Sequence, residues 1–71
     1  MLGLAFTDLG RIEEAILDYT KAIEMNPMDD LVYYNRGYYY FYIFKANAMN
    51  DLGRKEEAIK DYTRAIEINP Q

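Results

Sequence analysis

Six carboxylates stand at matching places in two segments: Glu13, Glu14 and Asp18, then Glu56, Glu57 and Asp61. Converging acids can ligate a metal ion or divide acid and base work between them. Here bases are interleaved with them: Arg11, Lys21, Arg54, Lys55, Lys60 and Arg64. On a helix, residues three and four apart pair across the surface, and acids near the N-terminus complement the dipole. The six carboxylates therefore read as a solvated polar face, not a site. The chain has no His and no Cys, which removes the commonest general base, thiolate metal sites and disulfides. No nucleophile–base pair and no Gly-rich phosphate loop is present. The expectation is a protein that is not an enzyme, with no catalytic residue, metal or cofactor.

Composition narrows the partners. The net charge is -4, and phosphate backbones are gripped by Lys and Arg, so nucleic acid is not expected. The longest apolar run, Tyr38 to Phe44, is seven residues, far short of the roughly 20 that span a bilayer. "MLGLAF" has no basic flank and no cleavage-like site, so neither a membrane role nor a signal peptide is expected. A cytoplasmic location agrees with this and with the lack of Cys. Half the residues are apolar, as a folding chain requires. At 71 residues the chain is one small domain with a thin core.

The elements that carry these residues are repeated. "DLGRIEEAILDYTKAIEMNP", residues 8–27, returns as "DLGRKEEAIKDYTRAIEINP", residues 51–70, with 16 of 20 positions identical. Ala15, Ile16, Tyr19, Ala22 and Ile23 fall at helical spacing, as do Ala58, Ile59, Tyr62, Ala65 and Ile66. Gly10 and Gly53 sit where a preceding helix would end in a left-handed residue. Asn26-Pro27 and Asn69-Pro70 stop each helix, because a residue before Pro is pushed out of the α region. Asp29 or Asp30 can then cap the next helix.

These residues resemble the tetratricopeptide repeat (TPR) family, whose unit is two helices in 34 residues with an aromatic-x2-Leu-Gly-x2-Tyr pattern, then Ala-x3-aromatic and Pro. Leu2, Gly3, Phe6, Ala15, Tyr19 and Pro27 fit a first unit, about 1–29, truncated at its N-terminus. Tyr33, Gly37, Tyr40, Ala58, Tyr62 and Pro70 fit a second, about 30–71, with Arg36 in the place of Leu. The resemblance implies an all-α fold of TPR-like helical hairpins in a single domain, 1–71, and a role in protein–protein interaction. Near-identical copies are also what a designed or excised chain would carry.

One spacing departs from the family. Ala15 and Ala58 lie 43 positions apart, nine more than the repeat. A second signature, Tyr42, Lys45, Ala46 and Met49, overlaps the first. The reading predicts helices at about 2–8, 11–25, 30–52 and 54–68, the third a long central helix joining the hairpins. Nine residues turn a helix by about two and a half turns. The two halves of such a rod face opposite ways, and the run Tyr38–Phe44 must be apolar all round. A break near Phe44–Lys45 would reorient the hairpins.

A rod of this kind leaves apolar surface bare in a single copy. Its expected partner is the chain itself, as a homodimer with helices or hairpins exchanged. The alternative is a foreign peptide or another TPR-binding protein. Candidate self-interface or peptide-binding residues are Leu31, Tyr34, Tyr38, Tyr39, Phe41, Tyr42, Ile43 and Phe44. Some family members hold a C-terminal carboxylate with Asn, Lys and Arg, and Asn35, Arg36, Lys45 and Asn47 are of those types.

Overall fold

The computed structural model describes residues 6–47 and 51–70. Three helices make up the described residues: α1 (Phe6–Met25), α2 (Asp30–Ala46) and α3 (Leu52–Ile68). The all-α hairpin architecture is as the sequence predicts. So are the ends of α1 and α3, each followed by Asn and Pro, and the start of α2 at Asp30. Asp29 is the N-cap, its carboxylate accepting from the Leu31 N–H at 3.2 Å. Asp51 caps α3 in the same way, accepting from the Arg54 N–H at 3.1 Å. Each cap satisfies one of the four N–H groups a helix start leaves open.

The central helix is shorter than expected. It closes at Ala46 with Asn47 as C-cap, whose N–H reaches the Ile43 carbonyl at 3.0 Å. This corrects the prediction of one helix from 30 to 52. α3 packs back on α2, so the second hairpin folds back instead of swinging away. The forward register is the one that packs. A Cβ on Gly37 would stand 3.0 Å from Asp61 Cβ, 3.3 Å from the Ala58 carbonyl oxygen and 3.4 Å from the Tyr62 ring. Glycine lets α2 and α3 cross that closely, and Ala58 is buried at the crossing.

The start of the chain also differs. Of the short helix expected at 2–8, residues 1–5 lie outside the described residues. From Phe6 the helix runs unbroken through Gly10 to Met25, so there is no separate helix beginning at 11. Neither Gly10 nor Gly53 adopts a positive φ. Gly10 is interior to α1 and Gly53 belongs to the first turn of α3; neither is the left-handed helix end that was expected.

α2 is the shared helix, with α1 and α3 each packed against it. Arg54 Nη2 reaches from α3 to Glu13 Oε2 on α1 at 3.1 Å. The core contains Ile16, Ile43, Phe44, Ala58 and Ala65. This explains why the run Tyr38–Phe44 is apolar all round. Two neighbours need two apolar faces, and a third face stays open.

Candidate binding groove

The open face of α2 carries Leu31, Tyr34, Tyr38 and Phe41, at intervals of three and four residues. Their exposures run from 65% at Leu31 to 40% at Phe41. Such spacing forms one stripe along a helix, here about 15 Å long. Of the other residues singled out in the sequence, Tyr39 and Tyr42 are half-buried, while Ile43 and Phe44 are turned into the core. Tyr39 stacks on Tyr19 of α1 with ring centroids 5.8 Å apart. Tyr38 meets the edges of Tyr39 and Tyr42 at 5.6 and 6.1 Å. These contacts hold the exposed rings in place, which lowers the entropy lost when a partner covers them.

Beside the stripe lies a groove of about 400 Å³ between the start of α2 and the end of α3. Leu31 and Tyr34 form one wall and Tyr62, Ala65 and Ile66 the other, with Asp30 and Asn69 at the end. Asn69 Nδ2 donates to Asp30 Oδ2 at 3.2 Å and closes that end. Tyr34 and Tyr62 meet across the groove floor at 5.4 Å, tilted by 53°. Burial raises the Tyr62 hydroxyl pKa above its ordinary value, and the neighbouring Tyr34 and Tyr38 add to the shift. An apolar cleft of this volume with polar groups at one end suits an amphipathic segment.

The four residues of carboxylate-clamp type do not converge. Asn35 and Lys45 are exposed and ten positions apart on α2, about 15 Å along its axis, and Asn47 is the exposed C-cap. Lys45 Nζ lies 5.7 Å from the centre of the Phe41 ring. Arg36 faces inward. Its Nε and Nη2 donate to Asp61 Oδ2 and Oδ1 at 2.8 and 2.7 Å, and its Nη1 donates to Thr20 Oγ1 at 3.1 Å. The hydrogen bonds to Asp61 raise the guanidinium pKa above its ordinary value. The Tyr40 ring lies 5.6 Å from Arg36 Cζ and 5.3 Å from Arg54 Cζ.

Asp61 corrects the sequence reading. It was placed with the solvated acids, yet it is 3% exposed. Its repeat copy Asp18, like Glu13 and Glu14, is at the surface. The signal for this pair was Arg36 itself, because an arginine where the family places leucine needs a buried acid opposite. Pairwise spacing within each helix did not show the acid, since the partner comes from 25 residues away. The contribution of α3 to the groove was missed for the same reason. Among the described residues, no group of three His, Cys, Asp or Glu side chains could hold a metal ion. No helix there is long and apolar enough to cross a membrane.

A family profile described as TPR repeat matches residues 3–41, and one described as tetratricopeptide repeat matches residues 39–71. The two matches meet within α2, the helix both hairpins share. No curated protein and no solved structure matches the chain.

Proposed function

The chain belongs to the tetratricopeptide repeat family of protein–protein interaction modules, and from that premise we propose that it captures a helical segment of a partner protein between α2 and α3. The observation that carries this is the stripe Leu31, Tyr34, Tyr38 and Phe41 lying exposed beside a preformed apolar groove. Helix-in-groove recognition lays the apolar face of an amphipathic helix into a hydrophobic groove, and the exposed stripe lengthens the apolar surface beside this one. The role is binding rather than catalysis, and the whole chain, 1–71, acts as one domain.

The test is a titration of the isotopically labelled chain with amphipathic helical peptides about 20 residues long. Amide shifts should cluster at Leu31, Tyr34, Tyr38 and Ile66. Changing Tyr34 and Tyr38 together to Ala should weaken binding by at least about tenfold, or roughly 1.4 kcal/mol, with helix content unchanged. Shifts confined to other faces, or none at about 1 mM peptide (roughly -4 kcal/mol), would overturn the proposal.

A second reading, a homodimer joined through the same stripe, is favoured by the amount of apolar surface left open. Light scattering at tens of micromolar separates the two. A mass of 8.4 kDa supports capture, and twice that mass, lost in the Tyr34→Ala/Tyr38→Ala variant, supports the dimer.

A further inference from the structure

Tyr19, Tyr34, Tyr38, Tyr39, Tyr42 and Tyr62 each stand in ring contact with another tyrosine. The chain has no Trp and no Cys, so no indole or thiol competes with these phenols for a one-electron oxidant. A phenol that loses an electron and its hydroxyl proton becomes a phenoxyl radical, with unpaired spin on the ring carbons beside the C–O carbon. Two such radicals join carbon to carbon when their ring edges can meet.

Geometry separates the pairs. Tyr19 and Tyr39 are stacked at 5.8 Å with 21° between their planes, which holds faces rather than edges together. Tyr38 meets Tyr39 and Tyr42 at 74° and 69°, so an edge stands against a face. Tyr34 and Tyr62 are nearer, at 5.4 Å, and their 53° lies between the two arrangements. Rings joined by one bond take such a twist, because the groups beside the bond must clear each other. Among these contacts, Tyr34–Tyr62 alone links α2 to α3. The Arg36–Asp61 pair fixes the helix separation within two residues of both rings. Tyr34 is 54% exposed and Tyr62 half-buried, so an oxidant reaches Tyr34 first.

We propose that Tyr34 and Tyr62 are a dityrosine site, through which one-electron oxidation by a peroxidase and hydrogen peroxide bonds α2 to α3. Tyr34 gives an electron and its hydroxyl proton to the oxidant. Its radical takes the same pair from Tyr62, and the next oxidation removes them from Tyr34 again. The two unpaired electrons form one Cε–Cε bond. Each joined carbon gives up its hydrogen as a proton and each phenol oxygen regains one, which restores both rings. Two electrons and two protons leave the chain, and one hydrogen peroxide takes them up as two waters. Rings already held together need no bimolecular encounter, so this pair outruns coupling between chains.

The test treats the intact chain with peroxidase and hydrogen peroxide, dilute enough that chains seldom collide. Dityrosine fluorescence should rise while the product stays a single chain, lighter by two hydrogens. Trypsin should then release residues 22–36 bonded to residues 61–64. Tyr34→Phe and Tyr62→Phe keep the ring without the phenol, so helix content should hold while the yield falls at least about fivefold in each. Tyr33→Phe, in the same tryptic peptide as Tyr34, should leave the yield unchanged. The linked chain should melt at a higher temperature, because the new bond restricts the unfolded chain. A link mapped to Tyr19 and Tyr39, a product of doubled mass, or an undiminished yield in Tyr34→Phe overturns the inference. So does a lack of dityrosine, or a linked chain that melts no higher.

Discussion

At the scale of single residues, the Arg36–Asp61 pair ties the molecule together. Arg36 lies on α2 and bonds to Asp61 on α3 and Thr20 on α1, while Thr20 Oγ1 donates back to the Ile16 carbonyl at 2.8 Å. The side chains are 15% and 4% exposed, so solvent screens the pair little. Removing one member of a buried pair costs about 3–5 kcal/mol, because the other charge is stranded. Asp61→Ala should lower unfolding stability by that order in a denaturant titration. Changing Arg36 and Asp61 together to Leu should cost far less. An equal loss in both variants would show that packing at Gly37, not charge, sets the cost. The exposed Arg54–Glu13 pair is worth at most about 1 kcal/mol, and Glu13→Gln should change little.

The tyrosines give a pH dependence at the same scale. Burial raises the hydroxyl pKa of Tyr40 and Tyr62 above the ordinary 10.0, and that of Tyr19 with help from Tyr39. Above about pH 10 the unfolded chain loses these protons while the folded chain keeps them. The unfolded state then binds fewer protons, so stability falls as pH rises. It is fully present below pH 10 and is lost through the higher folded values. Thermal melts should be flat on this account from neutral pH to about 9 and fall beyond 10. Absorbance at 295 nm should show part of the tyrosine titration delayed until unfolding.

At the scale of helices, two glycines test packing against propensity. A Cβ at Gly10 meets nothing within 4 Å, so Gly10→Ala should stabilise by about 0.5–1 kcal/mol through helix propensity. A Cβ at Gly37 meets Asp61 and the α3 backbone. Overpacking of that kind costs about 1–3 kcal/mol, which outweighs the propensity gain, so Gly37→Ala should destabilise. Melting temperatures of the two variants should move in opposite directions. The ends of α1 and α3 and the start of α2 were legible because Asn-Pro and Asp act within a turn of the chain. The end of α2 was not. Tyr42 to Ala46 has helical character whether or not the helix continues, and no Gly or Pro marks the end that Asn47 caps.

At the scale of the whole molecule, one helix is clasped by two copies of another. Copy one gives α2 the flank of Ile16 and Thr20, and copy two gives it the opposite flank of Ala58 and Asp61. On the second copy the other flank has no cover among the described residues, and Ile59 and Ile66 are open there. Replacing Leu31 and Ile66 by Lys should change the melting temperature little, since both side chains are more than half exposed. It should abolish binding of any partner helix, read in the same titration. The all-α class, the repeat, the Asn-Pro stops and the small residue at Gly37 were legible in the sequence alone, because each rests on spacing within a few turns. The length of α2, the pairing of Arg36 with Asp61 and the open flank of α3 were decided only in three dimensions. Near-identical segments have the same local preferences, and only the neighbours they meet make one flank core and the other surface.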